Sequence, residues 1–294
     1  LAGSSQRMMQ GLVLAENAPL FGRATELFTI EPLDPAFLGR AFPKASAQEL
    51  LDAFAAWGGI PRYWELAARH GGPCLDAVDE LVLDPQGPLH QEPSRLLLEE
   101  TPAATEARPL LDAIGSGAHR VSEIASRMGR PATSLSRPLD RLMGMSLVTR
   151  EVPFGEAERG GKKSLYRIAD PFFRLWFRAV APHRGLLQTS DAQGRRALLA
   201  RYWPALRGEA WEQLCRERLR AGGALLGHRW GPGARWWAPG EPEWDLIAES
   251  EDRTTLLLAE AKAIDHRWSR RDAAREAARL GSKSLPRLGH RFAR

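Results

Sequence analysis

The chain has 294 residues and carries 41 Lys and Arg against 36 Asp and Glu, which gives a formal net charge of +5 at pH 7. Its 44% hydrophobic and 26% charged residues are typical of a folded protein and exclude wholesale disorder. Two cysteines are too few for a disulfide framework, and the apolar runs are far shorter than the roughly 20 residues of a membrane helix. We therefore expect a cytoplasmic protein of two or three domains with no membrane partner.

Charge changes sign along the chain. Residues 1–104 hold 7 basic and 14 acidic side chains, whereas residues 105–294 hold 34 and 22. Codon usage explains why only five of the cations are lysines, but it does not explain this change of sign. A basic region joined to an acidic one is typical of a nucleic-acid-binding module beside a non-binding module, so we expect DNA as a partner.

The first third alternates predicted helices and turns. Leu27–Ile30 is a predicted strand, and apolar residues at helical spacing predict a helix from Ser46 to Trp57. Gly58 and Gly59 end this helix, and Pro61 opens the next one at its first turn. Residues 75–100 are predicted as helix with a turn at 84–88.

Three segments of this region resemble a known family. Leu1-Ala2-Gly3-Ser4-Ser5, Pro19-Leu20-Phe21-Gly22-Arg23 and Trp57-Gly58-Gly59-Ile60-Pro61-Arg62-Tyr63 are similar to the end of the ATPase domain in archaeal and bacterial ATP-binding proteins of the AAA and STAND type. The opening residues are similar to the middle of a domain, so we expect a fragment.

The resemblance implies a remnant of an ATPase lid over residues 1–104. Because no Gly-x-x-x-x-Gly-Lys-Ser/Thr motif occurs in this sequence, ATP is expected only with the N-terminal half that the chain lacks. Arg23 is interpreted either as an arginine finger acting across the subunits of a homo-oligomer or as a surface arginine in a salt bridge.

Residues 105–170 have the layout of a winged helix-turn-helix. Three amphipathic segments, ended in turn by Gly115, Gly129 and the strand Leu147–Val152, are followed by a Gly-rich basic tip and a returning strand at Leu165–Ile168. Pro138 falls inside the third helix and removes a helical hydrogen bond, so we expect that helix to be kinked or to start late.

The third helix and the wing carry the predicted DNA contacts. Short side chains let such a helix lie deep in the major groove while arginines reach bases or phosphates. The candidate residues are Ser134, Ser136, Arg137 and Arg141 on the helix and Arg159, Lys162 and Lys163 on the wing. A winged helix that docks on protein is the alternative.

A run of aromatic residues follows the wing. Residues 166–178 closely resemble the segment after the winged helix in the same family, and their helical spacing predicts core packing. We assign residues 171–200 to a helical linker and residues 201–294 to a C-terminal domain.

The C-terminal domain carries the candidate chemistry. A strand at 243–248 and a second at 254–262 predict a hairpin that brings Asp245 beside Glu260 and Lys262, both on one face of the second strand. An upstream helix offers Glu212, with Glu209 as the weaker alternative. The alternative interpretation of Glu260 and Lys262 is that they are solvated charges at the end of a strand.

This arrangement resembles the PD-(D/E)xK nucleases, and the ATP-binding family is similar to them in its C-terminal DUF234 region. The resemblance implies Mg²⁺ or Mn²⁺ at Asp245 and Glu260, with Lys262 and Glu212 as catalytic residues. Seven tryptophans in and near this domain are expected to pack in the core, with stacking on DNA as a second interpretation of Trp236 and Trp237.

The expected fold is α+β and multidomain, with a lid remnant, a winged helix and an α/β nuclease-like domain. We expect a DNA-associated protein that cleaves phosphodiesters. A non-catalytic DNA- or protein-binding regulator of an ATPase is the alternative.

Overall fold

A computed structural model describes residues 16–288 apart from 24, 27, 29, 101–103, 158–162, 221, 223 and 265. Helices and short strands form a mixed α+β architecture with two compact units. Unit 1 comprises residues 1–149 and 167–202, and unit 2 comprises residues 150–166 and 203–294. The predicted division at residues 104, 170 and 200 stays a prediction. Within the described residues, no helix is long and apolar enough to cross a membrane.

Unit 1 is helical. Its α-helices are α1 (Leu38–Ala41), α2 (Ala47–Trp57), α3 (Pro61–Arg69), α4 (Leu75–Val78), α5 (Glu92–Glu100), α6 (Ala104–Gly115), α7 (Val121–Met128), α8 (Ser136–Gly144), α9 (Pro171–Leu175) and α10 (Arg184–Thr189). Helix α11 (Ala192–Arg220) begins in unit 1 and ends in unit 2. Single π-helical turns continue α4 over Asp79–Leu83 and α9 over Trp176–Val180.

Local signals set the ends of α2. Ser46 and Glu49 form a capping box, in which each side chain accepts a hydrogen bond from the other residue's backbone N–H. The helix ends at Gly58, whose φ of 55° suits a residue without Cβ. Pro61 opens α3 at its first residue, as the sequence predicts.

Aromatic side chains from α9 and its π-turn form the centre of unit 1. Phe172, Trp176 and Phe177 are fully buried, as the sequence predicts for this run. The Trp176 indole donates a hydrogen bond to the His90 carbonyl oxygen at 2.7 Å. Gly115 lies so close to Phe177 that a Cβ at this position would stand 2.6 Å from the Phe177 Cβ.

Helices α6, α7 and α8 precede a two-stranded sheet of β1 (Val148–Glu151) and β2 (Leu165–Ile168). Helix α7 ends at Gly129 in the left-handed conformation. A 3₁₀ turn at Ala132–Leu135 leads into α8, so Pro138 lies in the first turn of the helix, where its missing N–H has no partner to lose.

Unit 2 contains two further small sheets and the last helix. Strands β3 (Ala224–Leu225) and β4 (His228–Arg229) pair with each other, and β5 (Ala234–Trp236), β6 (Trp244–Glu249) and β7 (Leu256–Ala259) form an antiparallel sheet in the order β5-β6-β7. Leu246 and Ala248 pack against Leu219 and Trp230. Trp236, Trp244 and Ile247 form a second cluster that Leu258 and Leu280 join. Helix α12 spans Arg270–Gly281.

Two predicted strands differ from the structure. Phe28 and Ile30 are not in a strand and are 84% and 95% exposed, so the predicted strand at Leu27–Ile30 is wrong at the positions that the structure describes. Strand β7 ends at Ala259, three residues before the predicted end at Lys262. Both predictions rested on apolar runs, and an apolar run alone does not show whether a partner strand lies beside it.

Candidate functional site

Asp245 and the segment after β7 meet at the open end of the hairpin. The register pairs Leu246 with Ala259, which places Asp245 opposite the residue that follows β7. The backbone N–H of Ala261 donates to Oδ2 of Asp245 at 2.9 Å. This hydrogen bond holds the Asp245 carboxylate against the chain between Glu260 and Lys262, although those two residues lie beyond the strand.

Glu260 is surrounded by cations. Its Oε2 lies 3.5 Å from Lys262 Nζ and 3.5 Å from Arg279 Nη2, and its Oε1 is ion-paired with Lys283. The Glu260 side chain is only 11% exposed, whereas those of Lys262 and Arg279 are 43% and 49% exposed. The carboxylate is therefore shielded from water by side chains that themselves remain accessible.

Lys283 anchors this cluster to the sheet. Its ammonium group also donates to the Glu243 carbonyl oxygen and lies 4.5 Å from the centre of the Trp244 ring. Arg279 pairs in addition with Glu276 at 2.9 Å on α12. The hydrogen bond and the charge of Glu276, with a smaller contribution from Glu260, raise the pKa of Arg279.

Glu212 belongs to a neighbouring network of ion pairs. It lies on α11, 3.6 Å from Arg216 and 3.8 Å from Arg235. Arg216 Nη1 donates to the Asp245 carbonyl oxygen at 3.3 Å, which links Glu212 to the hairpin through the backbone of Asp245. Burial opposes the charge of Arg235, but Glu212, Glu151 and Glu243 outweigh burial and raise the pKa of Arg235.

The donor set fits a divalent cation only in part. Within the described residues, no group of three or more His, Cys, Asp or Glu side chains converges as metal ligands. Asp245 and Glu260 supply two carboxylates, and Mg²⁺ is commonly held by one or two carboxylates together with waters and substrate phosphates. The pair therefore fits a metal ion that binds together with phosphate, and it does not form a cage made of protein alone.

The outer face of α8 is open. Leu135, Leu139 and Leu142 are buried, whereas Ser134, Ser136, Arg137 and Arg141 are exposed. Arg141 lies 3.8 Å from Glu106, and the Ser134 hydroxyl donates to the Pro131 carbonyl oxygen at 2.7 Å. The structure brings these four predicted residues onto one short, solvent-facing stretch of unit 1.

The remaining predicted residues are scattered. Lys163 of unit 2 is exposed and lies 2.5 Å from Glu156. Arg159 and Lys162 lie outside the described residues, as do Gly289-His290-Arg291-Phe292 and the opening residues of the ATPase resemblance. Arg23 is exposed. Trp236 and Trp237 are buried, which leaves no ring face of theirs for stacking on DNA.

Sequence reasoning missed Arg279 and Lys283 as partners of Glu260, and it expected Trp211 and Trp268 to be in the core. Both tryptophans are more than a third exposed. One signal was available for Lys283: it is one of only five lysines in the chain. The sequence offered no signal for the exposure of Trp211 and Trp268, because that exposure depends on how α11 and α12 pack.

Comparisons with known proteins cover this region. The family model DUF234, described as archaeal and bacterial proteins of unknown function, matches residues 176–276, a range that includes all four residues of the predicted nuclease-like site. An uncharacterized protein of Methanocaldococcus jannaschii is 30% identical over 269 residues, which cover 90% of this chain and 59% of that protein. No solved structure matches the chain. The chain thus spans about 59% of the length of the curated relative it matches, and residues 176–276 are similar to a family of unknown function.

Proposed function

We propose that this chain binds DNA through the exposed face of α8 and cleaves phosphodiesters at Asp245, Glu260 and Lys262. The observation that carries this proposal is the contact between the Asp245 carboxylate and the segment of Glu260 and Lys262 at the end of the hairpin. Asp245 accepts the Ala261 N–H, and the Glu260 carboxylate lies 3.5 Å from the Lys262 ammonium group. Two acidic side chains and a lysine beside one short segment are the groups that phosphodiester hydrolysis uses.

Each residue has a separate task in this proposal. Asp245 and Glu260 would hold Mg²⁺ or Mn²⁺, which stabilises negative charge on the phosphate and lowers the pKa of a bound water. Lys262 orients the attacking water and neutralises the phosphate. Arg279 and Lys283 keep Glu260 in position before DNA binds, since a carboxylate this little exposed needs compensating charge. Glu212 positions Asp245 through Arg216.

The α8 face supplies the DNA contact. Serine side chains are short enough to let a helix approach the groove, while Arg137 and Arg141 reach phosphates or base edges. The ion pair between Arg141 and Glu106 is exposed, so its loss on binding costs little. Lys163, Arg159 and Lys162 would add contacts to the DNA backbone.

The relation to an ATPase rests on the resemblance of the first third of the chain. Because the Methanocaldococcus relative is much longer than this chain, we propose that ATP binding, an arginine-finger role of Arg23 and assembly through the ATPase part belong to a longer protein.

Cleavage is tested with supercoiled plasmid DNA in Mg²⁺ or Mn²⁺. Lys262→Ala should abolish nicking while duplex binding persists, because the α8 face is unchanged. Lys44→Ala removes an exposed lysine of unit 1 and should leave nicking intact. Absence of nicking by the parent chain with either metal would refute the cleavage proposal.

Duplex binding is tested separately by fluorescence anisotropy. The double variant Arg137→Ala/Arg141→Ala should weaken binding to all sequences and lower the salt slope by about two, one for each lost phosphate contact. The matched double variant Arg40→Ala/Arg69→Ala removes two exposed arginines of the same unit. An equal loss of duplex affinity in both double variants would mean that the total positive charge of the chain, and not the face of α8, determines binding.

One observation favours a second candidate, a non-catalytic regulator that binds DNA. Three cations face Glu260, and they compete with a metal ion for its oxygens. Duplex binding without nicking would select this candidate.

A further inference from the structure

Eight of the ten tryptophans are at most 7% exposed, whereas Trp211 and Trp268 are 37% and 39% exposed. A large apolar ring normally gains about 1.5–3 kcal/mol from full burial, so an exposed tryptophan is unusual unless its ring meets a partner. Both rings also line the same cavity, although 57 positions of sequence separate them.

This cavity has a volume of about 390 Å³ and lies at the candidate site. Glu260, Lys262 and Arg279 line it together with the two tryptophans. A second cavity of about 240 Å³ shares Lys262, Trp268 and Arg279 and adds Arg275. Cations thus lie beside the two aromatic rings in these cavities, together with the carboxylates of Glu260, Asp272 and Glu276.

The surroundings of the cavities are basic. Residues 260–288 contain eight Lys and Arg but four Asp and Glu. Three arginines just before and at the start of α12, namely Arg267, Arg270 and Arg271, are exposed and make no ion pair with the residues that the structure describes. Arg275, by contrast, is paired with Asp272 at 3.0 Å. Arg267 directly precedes Trp268 in the chain, so an exposed cation lies next to one of the two rings and can contact a phosphate backbone.

We infer that the cavity between Trp211 and Trp268 binds unpaired bases of single-stranded DNA, with the phosphates held by Lys262, Arg279 and the arginines of α12. A base in a duplex has both faces covered by its neighbours, so only an unpaired base offers a face to an indole ring. Proteins that bind single-stranded DNA combine aromatic side chains, on which bases stack, with a basic groove that holds the phosphates. The inference builds on the proposed function and names single-stranded or locally unpaired DNA as the substrate class.

The first test uses the unmodified chain with EDTA, so that binding is measured without cleavage. Addition of an oligo-dT of about 15 nucleotides should quench the intrinsic tryptophan fluorescence, because the two exposed rings stack on bases. A duplex of the same length should quench it much less. Equal quenching by both would overturn the inference.

The second test measures anisotropy with the same two probes. Trp268→Ala and Trp211→Ala should each weaken oligo-dT binding about tenfold and leave duplex binding unchanged. Trp268→Phe keeps a stacking ring and should retain most of the affinity. Leu285→Ala, which removes an apolar side chain that is 72% exposed and lines neither cavity, is the matched control.

The outcomes separate this inference from the proposed function. If the tryptophan variants bind oligo-dT normally while Arg137→Ala/Arg141→Ala loses duplex binding, only the inference fails. If loss of Trp268 weakens both probes equally, the ring has a structural role and the inference fails as well. If the parent chain binds neither probe, the proposed function fails with it.

Discussion

Two carboxylates, one in each unit, show how differently this chain uses buried charge. Asp79 in unit 1 has a side chain that is 2% exposed, and its main partner Arg195, at 2.6 Å, is only 12% exposed. Glu260 in unit 2 is nearly as buried, but Lys262 and Arg279 remain almost half exposed. Each carboxylate pairs with one nearly buried cation, Arg195 or Lys283, and with at least one exposed cation. The exposed partners of Glu260 line cavities beside Trp211 and Trp268.

Two groups of aromatic residues show a further contrast. In unit 1 the rings of Trp57, Phe172, Trp176 and Phe177 are fully buried. In unit 2 Trp211 and Trp268 line a cavity. We therefore expect substitutions in the buried core of unit 1 to act mainly on stability, and substitutions around Glu260 to act mainly on binding.

The largest effect is expected from Asp79→Ala. Removing this carboxylate takes away the shorter of two ion pairs of the nearly buried Arg195 and leaves the pair with Asp84 at 3.1 Å, which should lower the free energy of unfolding by about 3 kcal/mol. Asp76→Ala removes an exposed carboxylate paired with Arg196 and should cost less than about 1 kcal/mol. Urea denaturation, followed by circular dichroism, measures the stability loss of each variant. Similar small losses in the two variants would refute the contrast between a buried and an exposed ion pair.

Gly115→Ala tests the closed packing of unit 1. The new Cβ would stand 2.6 Å from the Phe177 Cβ, so we expect a loss of about 1–3 kcal/mol in the free energy of unfolding. Gly208→Ala in α11 meets nothing within 4 Å and should instead stabilise the chain by about 0.5–1 kcal/mol. Thermal unfolding distinguishes the two, and a tolerated Gly115→Ala would mean that this interface is loose.

Asp170→Asn tests a buried carboxyl group that caps the start of α9. Burial raises the pKa of Asp170 to about 6, although the Phe173 N–H and Arg174 oppose the shift. The folded state therefore holds a proton that the unfolded state loses as pH rises from about 4 to 6, and stability falls across this window by about 1–3 kcal/mol.

Asparagine keeps the hydrogen bond to the start of α9 but cannot ionise. The variant should lose this pH dependence and become more stable than the parent at pH 7. Asp140→Asn, which changes an exposed carboxylate on α8, should keep the parent profile. Urea unfolding midpoints measured between pH 4 and pH 7 check this prediction. If the midpoints of Asp170→Asn fall with pH as those of the parent chain do, the prediction is refuted.

The smallest effect on stability is expected from Glu260→Gln. Loss of the charge frees the exposed Lys262 and Arg279, so oligo-dT should bind a few-fold more tightly in EDTA. Because glutamine can still accept a hydrogen bond from Lys283, the free energy of unfolding should change by about 1 kcal/mol. Plasmid nicking should disappear. Glu251→Gln, whose carboxylate pairs with Arg229 at an exposed position, is the control. Weaker binding would mean that Glu260 holds the cations in their binding positions.

Much of the helical architecture was predictable. Gly58 after α2, Pro61 at the start of α3 and Gly129 after α7 are local signals, and the structure has helix ends at each of them. The hairpin of β6 and β7 was also predicted, because two apolar runs are separated by a polar turn. The predicted strand at Leu27–Ile30 failed because an apolar run forms a strand only beside another strand.

The candidate site was predictable only in part. Glu260 and Lys262 are two positions apart, so their proximity follows from any extended chain. Asp245 required the correct register of the hairpin, and the pairing of Leu246 with Ala259 supplied it. The contribution of Lys283, 23 positions after Glu260, was beyond prediction because it depends on where α12 ends.

The sequence by itself determined the ends of several helices, such as those of α2, α3 and α7, and which residue types lie at the end of the hairpin, because both follow from interactions between near neighbours in the chain. Only the tertiary structure decided which tryptophans stay exposed and which cations reach Glu260. Those outcomes depend on side chains that are far apart in sequence and meet only when α11, α12 and the sheet of unit 2 pack together.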